Sequence, residues 1–244
     1  MTVTHLDIIP STNDWLKAHR DVSDTMQVVV AEAQTHGRGS GSNTWESEHG
    51  KNLTFSILIH PLDIRPKQQF IISMMISNAL VRALCEQIDT RQTALTVKWP
   101  NDIYIDDSKV CGILIENTIK GQHIADSIIG IGLNVNQQTF HSDAPNPCSL
   151  IHHTGKEIDR ERLLSTIIDS FLSEMQRHAE GRIKDIEDDY KSRLYRRDGI
   201  WRFVDENGVF EAEIADVQQD GHLVIRTPDD ITKTYDFHQV KFKI

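Results

Sequence analysis

The stretch TVKWPNDIYIDDSKVCGILIEN, residues 96–117, constrains the fold more than any other part of this chain. The β-branched, apolar runs on either side of Pro100 are typical of buried strands. Proline has no N–H to donate to a ladder, so Pro100 must mark a break in strand pairing. Strand character resumes directly after Asn101 and Asp102, so we interpret the break as a bulge that aims polar side chains, not as a turn that reverses the chain. A simple Asn-Asp turn is the alternative.

Lys109 begins the next strand of this stretch, after the short turn DDS. A short turn makes the two strands antiparallel neighbours, so Lys109 and Asp102 can lie side by side. The alternative is that Lys109 is an ordinary exposed turn lysine. The first reading brings a cation and a carboxylate together in one region of the sheet.

The first 197 residues are predicted to mix strands and helices in one domain. Strands are predicted over 3–9, 26–34, 52–61, 95–105, 109–119 and 123–135, and helices over 11–20, 66–84, 159–180 and 182–196. The last three strands have short connections, which favour antiparallel neighbours because parallel strands need long crossovers. The fold class is therefore α+β, with a mostly antiparallel, mixed sheet packed with helices.

A different pattern begins at Gly199. Short strand-like runs there are separated by two strong hairpin dipeptides, Asn207-Gly208 and Asp220-Gly221. We therefore predict two domains, a first one over 1–197 and a small C-terminal β-barrel over 198–244.

Charge and cysteine usage narrow the class of protein. The chain has 36 acidic and 26 basic residues, a formal net charge of −10. A general nucleic-acid-binding surface is therefore not expected, because binding the phosphate backbone of a nucleic acid needs a basic face. Cys85, Cys111 and Cys148 are widely spaced and form no CxxC pair, which argues against a disulfide framework or a structural zinc site. No signal peptide is recognisable, and the most apolar run is too interrupted to span a membrane. We expect a cytoplasmic protein with neither nucleic acid nor a membrane as its partner.

Three further segments carry residues suited to a ligand. Gly37-Arg38-Gly39 lies in a glycine-rich, flexible loop, where backbone N–H groups can approach a ligand and the arginine fork suits a carboxylate or phosphate; an exposed surface loop is the alternative. The strand GIGLNVN, residues 130–136, has glycines that permit close approach, but its spacing is not that of the dinucleotide fingerprint. Ser11-Thr12-Asn13 can bind a ligand or simply cap a helix.

Together these segments resemble the motifs of biotin protein ligases, which attach biotin to a lysine of a carrier protein with ATP. STN, EAQTHGRG, KWPND, KVCGILIE and GIGLNVN occur in the family's order and approximate spacing across residues 7–136. The resemblance implies a class II synthetase-like, biotin–lipoate ligase-like domain and a small SH3-like barrel. It also implies ATP, Mg²⁺ and biotin, and a biotin carboxyl carrier protein or carboxylase subunit as partner. The resemblance does not identify the metal ligands. It also leaves open whether two copies of the chain pair through an exposed sheet edge to form a homodimer.

The resemblance also implies roles for individual residues. Arg38 and Lys109 meet the biotin carboxylate and the α-phosphate, and Asp102 orients, and can deprotonate, the incoming lysine amine. The residues implied to bind biotin are Ser11, Thr12, Asn13, Gln34, Gly37, Arg38, Gly39, Trp45, Lys109, Gly112, Gly130 and Gly132. Those implied to bind ATP or the adenylate are Arg38, Ser40, Trp45, Lys98, Asn101, Lys109 and Asn134.

The loop after GRG departs from the family pattern. Members often carry further arginines there, whereas this chain has Ser40-Gly41-Ser42-Asn43. We expect this loop to hold a biotinyl-adenylate less tightly than an arginine-rich one, because a charged contact to the phosphate is missing. Comparing the lifetime of the adenylate in the wild type and in Ser40→Arg checks this, and equal lifetimes would contradict it.

The start of the sequence departs as well. Some members begin with a helix-turn-helix and act as repressors, but here the family motifs begin by residue 7. With the acidic net charge, this predicts no DNA binding, which a salt-sensitive, sequence-specific gel shift would contradict.

Two other functions stay open at this point. A lipoate ligase or octanoyltransferase shares the overall fold, although that group lacks the KWPND and GRG pairing. A non-catalytic module that senses biotin or a nucleotide is the second. Biotin-dependent exchange of pyrophosphate into ATP separates an enzyme from such a module.

Overall fold

The stretch around Pro100 belongs to a seven-stranded sheet in a computed structural model, which describes residues 1–41, 43–60, 63–142 and 144–243. The strands are β1 Thr2–Ile9, β2 Met26–Gln34, β3 Leu53–Ile59, β4 Leu95–Lys98, β5 Asp102–Ile105, β6 Ser108–Lys120 and β7 His123–Leu133. Their order is β1-β2-β3-β7-β6-β5-β4. Only the β1–β2 pair among these is parallel. The predicted mostly antiparallel, mixed sheet is confirmed.

The interpretation of the break at Pro100 as a bulge is wrong. β4 and β5 pair antiparallel with Lys98 opposite Asp102, so the three residues between them reverse the chain. The Trp99–Pro100 peptide within this turn is cis. The apolar residues after the break belong to the returning strand of a hairpin, and the sequence pattern of a returning strand is the same as that of a continuing one.

Helices cover the sheet. They are α1 Thr12–Ala18, α2 Phe70–Cys85, α3 Leu150–Thr154, α4 Arg160–Ala179 and α5 Ile183–Ser192, with a single 3₁₀ turn over Pro66–Gln68. Helix α2 is buried along most of its length, and it packs closely against α4, α5 and the β4–β5 hairpin. Helix α3 was not predicted, because five residues are too few to establish a helical period. No helix in the described ranges is long and apolar enough to cross a bilayer.

A second, five-stranded antiparallel sheet follows, here called the C-terminal sheet. It contains β8 Trp201–Asp205, β9 Gly208–Val217, β10 Leu223–Arg226, β11 Thr232–Tyr235 and β12 Lys241–Phe242, in the order β11-β10-β9-β8-β12. Both hairpin dipeptides fall at connections between its strands, as predicted. The exact domain boundary between 197 and 198 stays a prediction.

The C-terminal sheet is docked against the hairpin at Pro100. Trp99 Nε1 donates a hydrogen bond of 2.8 Å to the carbonyl oxygen of Gly221. The ring of Phe237 packs against the rings of Trp99 and Phe70, with centroids 5.5 and 6.0 Å apart. Gly221 has φ +99°, and a Cβ there would lie 2.7 Å from Phe70. This contact fixes the loop that precedes β12 relative to the large sheet.

Candidate active site

A cavity of about 220 Å³ opens on the face of the large sheet that carries α1. Fourteen of the predicted site residues line it, namely Ser11, Thr12, Asn13, Gln34, Arg38, Gly39, Ser40, Trp45, Asn101, Asp102, Lys109, Gly112, Gly130 and Gly132. They come from the start of α1, β2, the loop after β2, the Pro100 turn, β5, β6 and β7. The fold thus brings together motifs that are far apart in the sequence.

The start of α1 forms the polar end of the cavity. Ser11 caps the helix by accepting from the Asp14 N–H, so the capping role considered for this segment is real. The Thr12 N–H also donates to Gln34 Oε1 at 2.7 Å, and Ser56 Oγ is 2.6 Å from both Thr12 Oγ1 and Asn13 Oδ1. All of these side chains except Gln34 are buried, so their donors and acceptors are fixed before a ligand arrives.

Two backbone hydrogen bonds close the described part of the glycine-rich loop into a short hairpin. Gly39 N donates to the Asn43 carbonyl at 2.8 Å, and Trp45 N donates to the Gly37 carbonyl at 3.0 Å. A Cβ on Gly37 would lie only 2.5 Å from the Trp45 carbonyl oxygen, which explains the need for glycine there. The hairpin holds Arg38 at the cavity, and Ser42 lies outside the described residues.

Arg38 is held by two carboxylates. Its Nη2 is 2.9 Å from Asp14 Oδ1 and 2.9 Å from Glu116 Oε2. Burial alone would raise the pKa of Glu116, but hydrogen bonds from Lys17, Asn13 and Arg38 outweigh it, and the pKa lies below its usual range. Glu116 is therefore an anion that orients the guanidinium at the mouth of the cavity.

Lys109 and Asp102 form an ion pair on neighbouring strands, with Nζ 2.6 Å from Oδ1. The predicted adjacency of these residues on β5 and β6 is confirmed. Lys109 is 27% exposed and its Nζ lies 5.5 Å from the centroid of the Trp45 ring, so the reading of an ordinary exposed lysine is wrong. Arg38 and Lys109, from distant parts of the chain, line the same cavity.

Three glycines of β6 and β7 admit the side chains of Trp45 and Asn13. A Cβ on Gly132 would overlap the indole of Trp45, a Cβ on Gly112 would lie 2.9 Å from Trp45 Cζ3, and a Cβ on Gly130 would overlap the Asn13 amide. Trp45 Nε1 is buried and has no hydrogen-bond partner in the ranges that the structure describes. Direct contact of the three glycines with biotin stays a prediction.

Replacing Gly132 with alanine should displace Trp45. The new methyl group would overlap the indole ring, and overpacking of this kind costs about 1–3 kcal/mol. We expect a red-shifted tryptophan emission and a lower melting temperature. Gly39→Ala is the milder comparison, because its Cβ would lie 3.3 Å from the Asn43 Cβ, a tight contact that a small shift of Asn43 relieves; Gly121→Ala is unsuitable because Gly121 has φ +65°. Equal emission spectra for Gly132→Ala and the wild type would contradict the packing described.

Two predicted nucleotide-binding residues are not on the cavity lining. Lys98 Nζ lies 5.2 Å from the ring centroids of both Tyr104 and Phe242, and burial lowers its pKa. Asn134 is buried, and its Nδ2 donates to the Cys148 carbonyl at 3.0 Å. In this arrangement both residues fasten neighbouring segments together. Their contact with a nucleotide stays a prediction.

Three of the residues that sequence reasoning missed make polar contacts with predicted site residues. Glu116 is the one acidic residue of the segment KVCGILIE, and a lone carboxylate in that motif could have marked it as a site residue. Ser56 is a hydroxyl within the apolar run FSILI, which is also visible in the sequence. His238 lines the cavity from the C-terminal sheet, and no local pattern marks it.

The model of the biotin/lipoate A/B protein ligase family matches residues 6–134, which include every motif of the cavity up to Asn134. The chain belongs to this family. The "Bifunctional ligase/repressor BirA" of Bacillus spizizenii is 30% identical over 213 residues, covering 85% of this chain and 64% of the relative. The chain thus spans somewhat less than two thirds of that protein's length.

Two further family members extend the comparison. The "Biotin--[acetyl-CoA-carboxylase] ligase" of Paracoccus denitrificans is 27% identical over 150 residues, which are 59% of this chain and 60% of the relative. The solved structure of the biotin protein ligase of Aquifex aeolicus in complex with biotin and ATP is 24% identical and has a TM-score of 0.80, covering 99% of this chain and 98% of that one. The latter likeness establishes the fold, including the second, C-terminal sheet.

Proposed function

We propose that this protein activates biotin with ATP as biotinyl-5′-AMP and then transfers the biotinyl group to a lysine of a biotin carboxyl carrier protein or carboxylase subunit. The observation that carries this proposal is the presence of Arg38 and Lys109 on one cavity, beside the buried polar end at Ser11–Asn13. The name of the Paracoccus relative, a biotin ligase for acetyl-CoA carboxylase, supports the same chemistry, and the name of the Bacillus relative supports a ligase.

The first step joins two anions. An oxygen of the biotin carboxylate attacks the α-phosphorus of ATP, a C–O–P anhydride forms, and the bond to pyrophosphate breaks. Negative charge accumulates at the α-phosphate, so fixed donors aimed there lower the barrier. Arg38 and Lys109 are suited to this role because carboxylates already orient both of them. When substrate is bound, its oxygens would accept hydrogen bonds from Arg38 and Lys109 in place of these carboxylates or beside them.

The second step needs a neutral amine. The acceptor lysine nitrogen attacks the carbonyl carbon, the amide bond forms, and AMP leaves with the electrons of the broken C–O bond. Asp102 is our candidate to take the amine proton. A carboxylate has two oxygens, so Asp102 can keep Lys109 on Oδ1 and accept at the other oxygen. The mixed anhydride is destroyed by water, so the hairpin loop at Arg38 must cover it.

Magnesium is the expected companion of ATP. In the described part of the chain no group of three or more His, Cys, Asp or Glu side chains could hold a metal ion. Mg²⁺ usually keeps several waters and binds through substrate phosphates with one or two carboxylates, so it would enter with the nucleotide. None of the steps above depends on a ligand from the protein.

Biotin-dependent exchange of labelled pyrophosphate into ATP tests the first step. We expect exchange with biotin and none with lipoate or octanoate, and biotinylation of a purified carrier domain tests the second step. A protein that binds biotin without exchange would be a sensing module, and exchange with lipoate alone would make it a lipoate ligase; either result contradicts the proposal.

A cytoplasmic location fits this function, since carboxylase subunits and ATP are found there. Cys85, Cys111 and Cys148 are all free thiols, in keeping with a reducing compartment. Burial raises the pKa of the Cys111 thiol and raises that of Cys148 to about 12. Neither thiol is therefore a nucleophile at neutral pH, and the reaction needs none.

A further inference from the structure

His238 brings the C-terminal sheet into the cavity. It lies in the connection between β11 and β12, and it lines the cavity on the side of the glycine-rich hairpin. Its Nε2 is 3.2 Å from the hydroxyl oxygen of Ser40, within hydrogen-bond distance. Ser40 directly follows the Gly37-Arg38-Gly39 segment, so the hairpin that carries Arg38 is tied to a residue near the other end of the chain.

The segment around His238 is held firmly. The Asp236 N–H donates to Gln239 Oε1 at 2.7 Å, and the Gln239 N–H donates to the Asp236 carbonyl at 3.2 Å. The neighbouring Phe237 ring packs between Trp99 and Phe70. His238 itself has φ +70°, a conformation that glycine adopts without cost and that side chains rarely adopt. The backbone therefore presents the imidazole to Ser40 from a fixed platform, at some conformational cost.

We propose that His238 is a positioning residue that latches the glycine-rich hairpin over the cavity through Ser40. This inference rests on the proposed function and assigns the C-terminal sheet a part in it. The residue directly after Gly37-Arg38-Gly39 thus has a hydroxyl group within hydrogen-bond distance of the chain's own C-terminal sheet. The latch keeps the hairpin closed during the interval between adenylate formation and transfer, when water must be kept out.

The test uses the lifetime of biotinyl-adenylate on the full-length enzyme. His238→Gly removes the imidazole and suits the positive φ, so the variant should fold at least as stably as the wild type. We expect this variant and Ser40→Ala each to shorten the lifetime about three- to tenfold, the effect of losing one hydrogen bond. His238→Gln should restore part of the lost adenylate lifetime, because the glutamine side-chain amide reaches about as far as the imidazole. His222→Ala is the control, since His222 pairs with Asp220 in another turn of the same sheet.

A double variant decides whether the two residues act as a pair. Ser40→Ala combined with His238→Gly should have the same lifetime as either single variant, because one hydrogen bond cannot be lost twice. Losses that multiply, or a lifetime unchanged in His238→Gly, would overturn the latch. Absence of any biotin-dependent pyrophosphate exchange in the wild type would instead overturn the proposed function, so the two failures are distinguishable.

Discussion

Replacing Lys109 with alanine should slow biotin-dependent exchange of pyrophosphate into ATP by about 100- to 1,000-fold. Removing one preorganised donor from a developing negative charge has this effect in other enzymes. Lys109 is half-buried between Asp102 and the Trp45 ring, so its charge is poorly screened by water. Steady-state exchange at saturating ATP and biotin is the measurement, because the loss should fall mainly on the turnover rate.

Two variants control for indirect effects of this replacement. Lys51→Ala removes a partly exposed lysine whose partner is Glu157, outside the cavity, and it should leave exchange unchanged. Lys109→Met keeps the aliphatic stem and should lose as much activity as the alanine variant. If Lys109→Ala exchanges at more than a tenth of the wild-type rate while remaining folded, Lys109 does not stabilise the transition state.

Arg38→Lys should lower the same exchange rate by at least about tenfold although the charge is retained. Only a guanidinium presents two parallel N–H donors, the arginine fork, to a carboxylate or phosphate. A lysine at this position cannot make that two-point contact. A charged hydrogen bond contributes about 1.5–3 kcal/mol, which sets the size of the loss. Arg38→Ala should lose more, and its apparent KM for biotin should rise.

The fold should tolerate these changes at Arg38. Its ion pairs with Asp14 and Glu116 are partly exposed, with 39% of the arginine side chain accessible, and such pairs contribute about 0–1 kcal/mol to stability. Melting temperatures should therefore differ by only a few degrees. Arg91→Ala is the matched control, because Arg91 is 87% exposed and pairs with Asp89 far from the cavity. An Arg38→Lys variant with wild-type exchange would show that the fork is not used.

The sequence predicted the elements of the large sheet well because their signals are local. β-branched runs mark β2 and β3, and short connections make β5, β6 and β7 antiparallel neighbours. The Lys109–Asp102 pair follows from the same reasoning, since adjacent strands bring the two residues together. The Pro100 turn was misread because a returning strand and a continuing strand have the same composition.

The parts of the site that escaped prediction depend on tertiary contacts. Glu116 meets Arg38 only because the hairpin after β2 folds over β6. The glycines of β6 and β7 were expected to leave space for a ligand, whereas Trp45 and Asn13 occupy the space directly above them. His238 reaches the cavity through the docking of Phe237 on Trp99, and no periodicity in the sequence encodes that contact.

The most direct measurement of the central claim is a crystal structure with a non-hydrolysable biotinyl-adenylate analogue bound. The Arg38 guanidinium and Lys109 Nζ should both lie within about 3.2 Å of oxygens of the same acyl-phosphate group, with the biotin ring system toward Ser11 and Thr12. An analogue bound elsewhere, or one that leaves either cation on its present carboxylate partner and out of reach, would contradict it.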